Sequence, residues 1–236
     1  MCTVTFVSSK DRVIITSNRD EQVLRPAAAE PKKYRVNSKN IIFPKDPKGG
    51  GTWYAVDENG TVAVLLNGAA ERHEASGAYR KSRGLIVLDI SSSPSSIKAW
   101  DEISLDAIEP FTLVLYESQK LYQLRWDGAA KDKTQLDASK SHIWSSSTLY
   151  DKDAREQRAG WFSDYAKARS LFSEDDIFHF HRHAESGNLE NGLVISRGNS
   201  FKTLSITQAI LDDNKVKMKH LDLASQKEYE SSFAIL

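Results

Sequence analysis

One cysteine near the start of the chain could supply both the nucleophile and the base of a covalent reaction. It is Cys2, the only cysteine among 236 residues, and removal of Met1 would expose its thiol and its α-amine together. A free α-amine titrates near about 8 and a thiol near about 8.5, so the amine can take the thiol proton without a separate histidine. The simpler interpretation is a small, half-buried residue that opens a strand.

The first two predicted strands position this cysteine. Residues 3–6 alternate threonine with Val or Phe, and residues 13–15 are apolar, which predicts a β-hairpin. With the turn centred between residues 9 and 10, Cys2 lies opposite about residue 17. The start of the chain is therefore expected beside a cluster of charged residues.

That cluster is Asn18-Arg19-Asp20-Glu21. Arg19 can favour the thiolate form of Cys2, because a nearby positive charge lowers a thiol pKa, and a carboxylate can orient the amine. Without further information, such a cluster is more often a solvated turn.

Composition excludes several classes of protein. Lys plus Arg and Asp plus Glu each number 32, so the net charge is zero, which argues against a whole-surface basic field for nucleic acid. No stretch approaches 18 apolar residues, and residues 1–10 hold no basic stretch followed by a long apolar one, so neither a membrane span nor a signal peptide is expected. We expect a soluble, cytoplasmic protein that binds no nucleic acid and is not an integral membrane protein.

The order of elements predicts the fold class. Hairpins are expected at 53–66 and 111–126, and residues 85–90 form an apolar run that fits helix or strand. Further elements are expected as a short strand at 40–43, a helix at 97–107, a strand at 142–148, helices at 161–172 and from 173, and strands at 193–196, 203–210 and 216–221. Hairpin-linked strands and helices in blocks indicate an α+β fold with mainly antiparallel sheets.

Several ordered motifs in the first 90 residues resemble those of one family. They are Met1-Cys2, Asn18-Arg19-Asp20-Glu21, Arg25-Pro26, Gly50-Gly51-Thr52-Trp53, Asn67 and Ser82-Arg83-Gly84. Together they resemble the NRDE family, the transport-and-Golgi-organisation protein family. The resemblance implies one domain over residues 1–236 with an N-terminal-nucleophile hydrolase-like fold, a four-layer αββα sandwich.

The resemblance also implies roles for particular residues. Carried over by position, the catalytic residues are Cys2, Arg19, Asp20 and Asn67, with Asn67 as oxyanion donor. Residues expected to bind substrate are Asn18, Glu21, Trp53 and Arg83, although Trp53 considered by itself is expected to be a core or pocket-wall residue.

The implied activity is cleavage of a non-peptide C–N bond, an amide, in a small molecule. The alternative is a non-catalytic carrier that uses the same pocket for haem, an acyl metabolite or another lipid-like ligand. No cofactor is expected. His179, His181 and His183 resemble a metal-binding tract, but no carboxylate or cysteine completes a ligand set, so no metal is expected.

The second half departs from the family pattern at two places. Ser145-Ser146-Ser147 stands where a Ser-Asn pair is expected, and Phe201-Lys202-Thr203 stands where Gly-Thr-Arg-Thr is expected. Amide and guanidinium groups that hydrolase relatives use are therefore absent from those positions.

Overall fold

Two antiparallel sheets make up the centre of the molecule. The computed structural model describes residues 2–10, 12–74, 77–169 and 171–234, and of Cys2 it describes the backbone alone. The strands in these ranges are β1 (Cys2–Ser9), β2 (Arg12–Gln22), β3 (Ala29–Val36), β4 (Lys39–Lys45), β5 (Tyr54–Asp57), β6 (Val62–Asn67), β7 (Phe111–Glu117), β8 (Lys120–Trp126), β9 (Lys131–Leu136), β10 (His142–Ser145), β11 (Ser196–Arg197), β12 (Phe201–Leu211), β13 (Lys215–Asp222) and β14 (Lys227–Ala234). The helices are α1 (Arg83–Ser91), α2 (Ser96–Glu102), α3 (Lys152–Lys167) and α4 (Glu174–His183).

The strand order separates the chain into two sheets of seven strands. Sheet one has the order β10-β1-β2-β12-β13-β14, with β11 paired to β12, and sheet two runs from β3 to β9 in chain order. Every ladder in both sheets is antiparallel. The predicted α+β class with mainly antiparallel sheets is confirmed.

The helices and sheets pack through their apolar faces in four layers. The inner faces of the two sheets share one core, which includes Phe6, Ile15 and Tyr54, and α1 and α2 cover the outer face of sheet two. α3 and α4 cover the outer face of sheet one through Phe162 and Phe180. None of the described helices is long and apolar enough to cross a membrane.

The sheets are also joined by buried polar contacts. The hydroxyl of Tyr54, on sheet two, donates to the carbonyl of Ile15 at 2.8 Å and accepts from the amide of Ala209 at 3.0 Å, both on sheet one. Burial raises the pKa of this tyrosine far above its usual value, so the hydroxyl keeps its proton. A paired hydroxyl in the core fixes the sheets in one relative position.

The register of the first hairpin differs from the predicted one. Cys2 lies opposite Arg19, two residues beyond position 17, and the ladder continues to the pair Ser9 and Arg12. The turn lies later than predicted because Lys10 adopts a positive φ of 55°, which lets Ser9 stay in the strand. A shift of two residues keeps each side chain on the same face of the sheet.

Three strands were not expected from the sequence: β3, β9 and β14. Each is an edge strand of its sheet, and charged or polar residues make up most of its length. Their alternation of apolar and polar residues is therefore too weak to predict a strand. The ambiguous run 85–90 is helical, and α3 begins nine residues before the predicted start, where Asp151 caps it by accepting from the amide of Ala154 at 2.8 Å.

Candidate active site

A cleft of about 640 Å³ opens where β2 and β6 end, facing the start of α1. Its wall includes several charged and polar residues and one tryptophan: Arg19, Glu21, Arg25, Asp46, Trp53, Asn67, Arg83 and Glu109. Five of the eight residues predicted to act in catalysis or binding line this one cleft: Arg19, Glu21, Trp53, Asn67 and Arg83. Asn18 and Asp20 do not line it, and the side chain of Cys2 lies outside the described part of the chain.

Arg19 joins the two sheets at the bottom of this cleft. The residue is 3% exposed, and its guanidinium carbon lies 4.4 Å from the centre of the Trp53 ring. One guanidinium nitrogen lies 3.6 Å from a carboxylate oxygen of Asp46 and 3.9 Å from one of Glu21. The cation is thus held between an aromatic face and two carboxylates, while its backbone pairs with that of Cys2.

Asp46 and Arg25 belong to the same charged group, and sequence reasoning did not find Asp46. Burial alone would raise the pKa of Asp46, but its hydrogen bond with Arg25 and the charges of Arg25 and Arg19 outweigh burial and hold that pKa below its usual value. The carboxylate therefore stays ionised between two arginines. Asp46 lies in a proline-rich segment, and no motif spacing points to it.

Arg83 lines the opposite wall, at the first residue of α1. Its guanidinium lies 2.9 Å from a carboxylate oxygen of Glu109 and donates to the carbonyl of Pro110 at 3.1 Å. Burial lowers the pKa of Arg83, and the charge of Glu109 opposes that shift. The guanidinium is consequently anchored to the segment that leads into β7.

A close contact between two glycines holds α1 against the chain before β5. A Cβ on Gly51 would lie 2.2 Å from the carbonyl carbon of Gly84, and the amide of Thr52 donates to the Gly84 carbonyl at 3.1 Å. No larger residue fits there without a shift of backbone. The Gly-Gly-Thr-Trp and Arg-Gly motifs therefore meet in space, and together they form one wall of the cleft.

Asn67, the last residue of β6, presents an amide to the cleft. Within the described residues its carboxamide makes no hydrogen bond, whereas its main-chain carbonyl accepts from the hydroxyl of Ser146 at 2.7 Å. The next residue, Gly68, has a φ of 83°. Ser146, from the serine run that departs from the family pattern, thus fixes the backbone of the predicted oxyanion donor.

Asp20 is fully buried beneath the cleft, on the opposite face of β2 from Arg19. Its two carboxylate oxygens accept from the hydroxyls of Tyr150 and Thr203, each at 2.6 Å. Burial raises the pKa of Asp20, opposed by the charge of Arg158 and by the two hydroxyls. Sequence reasoning missed these partners, which come from chain segments more than a hundred residues away.

Arg158, fully buried on α3, supports the Asp20 site from behind. Its guanidinium lies 3.5 Å from the ring centre of Tyr150, and it donates to the hydroxyl of Thr3 and to the carbonyls of Asn191 and Gly192. The attraction between the buried charges of Arg158 and Asp20 offsets part of the free energy that desolvation of each group costs.

Asn18 does not reach the cleft. Its amide nitrogen donates to the carbonyls of His181 and Leu193 at 2.9 and 2.6 Å, and its oxygen lies 2.6 Å from Nδ1 of His181. The hydroxyl of Thr5 lies 2.8 Å from the other ring nitrogen. Asn18 thus attaches α4 to sheet one, and the binding role expected of it stays a prediction.

The histidine tract on α4 is divided between two environments. His181 is fully buried, and burial, with the nearby charge of Arg158, lowers its pKa to about 3, so the ring is neutral. His179 and His183 share the other face, with ring centres 4.6 Å apart. Among the described residues, no group of three or more His, Cys, Asp and Glu side chains could hold a metal ion.

Comparison with known proteins gives these observations a context. The family model described as Transport and Golgi organisation 2 matches residues 1–226. The chain belongs to this family. Among curated proteins, none matches the chain by sequence.

Solved structures show what the fold is similar to. An N-acylethanolamine-hydrolyzing acid amidase ortholog from Caenorhabditis elegans has a TM-score of 0.60 at 12% identity, over 88% of this chain and 92% of that chain. A variant of conjugated bile acid hydrolase from Clostridium perfringens has a TM-score of 0.55 at 10% identity, over 98% of this chain and 92% of that one. The family member described here therefore has the N-terminal-nucleophile hydrolase-like αββα fold that its motifs imply.

Proposed function

We propose that this family member is an N-terminal cysteine hydrolase that cleaves the amide bond of a small molecule in the cleft between Arg19 and Arg83. One observation carries the proposal: Arg19, the register partner of Cys2, lines the same cleft as Asn67, whose amide has no partner in the described chain. One of the two neighbours above is an N-acylethanolamine-hydrolyzing acid amidase ortholog and the other a conjugated bile acid hydrolase, which supports an amide as the substrate class.

The proposed reaction begins with removal of Met1. The α-amine of Cys2 takes the thiol proton, and the thiolate attacks the amide carbonyl. The carbonyl electrons move to oxygen, where the side-chain N–H of Asn67 would stabilise the negative charge by roughly 3 kcal/mol. Collapse of this intermediate breaks the C–N bond, and the amine leaves with the proton that the α-amine held.

Water completes the cycle by attacking the thioester. The α-amine accepts a proton from that water, the C–S bond breaks, and the thiol and a carboxylic acid are released. In this scheme Arg19 favours the thiolate, and Asp20 keeps the strand end that carries Arg19 in place.

The charged residues of the cleft wall indicate which class of substrate could bind there. Glu21 and Arg83 place one negative and one positive group on facing walls, and Trp53 offers an aromatic surface next to Arg19. A substrate with an apolar acyl part and a polar amine part fits this distribution, with Glu21, Trp53 and Arg83 as binding residues.

A direct test uses acyl p-nitroanilides of graded chain length and the processed protein. We expect nitroaniline release together with an acyl adduct on the N-terminal peptide, trapped by acid quench. Asn67→Ala should lower kcat/KM by about 10²- to 10³-fold, whereas Asn214→Ala, an exposed asparagine on the turn before β13, should not. The absence of both release and adduct with every chain length would contradict the proposal.

The carrier alternative predicts a different result in the same assay. A protein that binds haem or an acyl metabolite through the thiol of Cys2 needs no free α-amine, so retention of Met1 would leave binding intact. Reversible binding without an adduct, unchanged in protein that keeps Met1, would favour the carrier.

A further inference from the structure

A second, smaller cavity lies on the other side of the end of β6 from the cleft. Alternate residues of this strand end divide between the two: Leu65 and Asn67 line the cleft, whereas Leu66 and Gly68 line the cavity. It lies between the edge strand β10 and strands β6 to β8, and its volume is about 260 Å³. This equals the space of roughly nine water molecules and is below the usual size of drug-sized pockets.

Two arginines give the cavity a positive wall. Arg125 on β8 is half-buried, and within the described residues its guanidinium makes no hydrogen bond and no ion pair, although its Nε is fully buried. The cross-strand neighbour Asp132 does not pair with it, and the Asp132 carboxylate instead accepts from the hydroxyl of Thr134 at 3.2 Å. Partial burial of a guanidinium that has no acceptor is costly, so an acceptor is expected at its terminal nitrogens, which unlike Nε are not closed off.

Arg155 on α3 adds the second positive charge. It donates to the carbonyl of Ala70 at 2.8 Å, and it forms an ion pair with the carboxylate of the exposed Glu71 at 3.6 Å. Burial lowers the pKa of Arg125, the charges of Asp132 and Glu71 oppose that shift, and the charge of Arg155 adds to it.

The remaining wall is apolar with a few hydroxyls. Leu66 and Trp144 face the cavity, and the Trp144 ring is fixed by the hydrogen bond that its N–H donates to Gln123 at 3.0 Å. Inorganic phosphate would leave this apolar surface unused, whereas a short organic acid would cover it.

We propose that this cavity binds a small organic carboxylate, with its oxygens on Arg125 and its apolar part against Leu66 and Trp144. Guanidinium and carboxylate match in a two-point hydrogen bond, which gives strength and orientation. The site does not depend on catalysis in the cleft, since its residues lie on the other side of β6.

Ligand-observed NMR with isobutyrate tests this site. We expect saturation transfer from the protein to isobutyrate, none to neutral isobutyramide, and no competition by an equal concentration of inorganic phosphate. Arg125→Gln should weaken isobutyrate binding at least about tenfold, whereas Arg35→Gln, an exposed arginine on β3 of the same sheet, should leave it unchanged. Equal binding to Arg125→Gln, or displacement by phosphate, would overturn the proposal.

Amide shift mapping on the unmodified protein covers the case in which Arg125→Gln does not fold. Isobutyrate should shift the amide signals of Gly68, Ile143 and Ser145 and leave those of Gly51 and Gly84 at the cleft unchanged. Shifts confined to the cleft, or no shifts, would also overturn the proposal.

Discussion

Residues beneath the cleft stabilise a buried carboxylate, that of Asp20, next to the end of β2 that pairs with Cys2. Asp20 accepts hydrogen bonds from two hydroxyls, and Arg158 acts on it through its charge and contacts the ring of Tyr150. The sequence predicted that Asp20 matters but not its partners, because Tyr150 and Thr203 lie far away in the chain and carry no motif. That the carboxylate supports Arg19 stays a prediction.

Removing one donor from Asp20 should destabilise the protein measurably. In Tyr150→Phe the ring stays over Arg158, but the carboxylate loses a buried hydrogen bond, which should lower the free energy of unfolding by about 1–3 kcal/mol. The matched control is Tyr229→Phe, at a half-buried tyrosine without a described hydrogen bond. Measured by urea denaturation, its free energy of unfolding should change by less than about 0.5 kcal/mol. Equal changes in the two variants would show that the Asp20 contact contributes nothing.

Buried His181 should make stability fall as the pH falls. Burial lowers its folded pKa to about 3, while the unfolded chain titrates near 6.5, so below 6.5 the unfolded state binds more protons. The free energy of unfolding therefore decreases by up to about 1.4 kcal/mol per pH unit between pH 6.5 and about pH 3. His220, whose pKa burial lowers to about 4, adds a loss of the same sign.

Urea denaturation between pH 7 and pH 4.5 checks this expectation. His181→Gln should be less stable at pH 7 but should lose less stability on acidification, whereas His179→Gln, at an exposed position on the same helix, should follow the original protein. A pH slope unchanged in His181→Gln would contradict a neutral, buried histidine.

At the scale of elements, the cleft depends on how α1 meets the chain before β5. The sequence predicted both motifs at this junction but not their contact, because residues 51 and 84 are brought together by the packing of a helix on a sheet. The same limit explains the missed strands, whose polar faces carry little periodic signal. Hairpins with strong alternation, such as β7 with β8, were predictable locally.

An added methyl group should disturb this junction. Gly51→Ala would place a Cβ within 2.5 Å of three backbone atoms at residues 84 and 85, and we expect a loss of about 1–3 kcal/mol in the free energy of unfolding. Gly160→Ala on α3 meets nothing within 4 Å and should instead stabilise by up to about 1 kcal/mol. Thermal or urea unfolding of both variants gives the comparison, and similar stability in the two would refute the close contact.

For the whole molecule, two stacked antiparallel sheets bring segments from both halves of the chain to one end of the sandwich. The cleft and the smaller cavity lie on either side of the last residues of β6, and Ser146 bonds to the main chain between them. The fold could be predicted because several ordered motifs coincide with the block order of elements. The second cavity could not, because Arg125, Ile143 and Arg155 have no sequence pattern in common.

The most direct measurement of the central claim is the intact mass of the purified, untagged protein, with and without brief iodoacetamide treatment. Our account predicts loss of Met1 and fast addition of one carbamidomethyl group, absent from a Cys2→Ala control, because Arg19 and the α-amine favour the thiolate. Retained Met1 together with a thiol that reacts no faster than free cysteine would contradict an N-terminal nucleophile at this site.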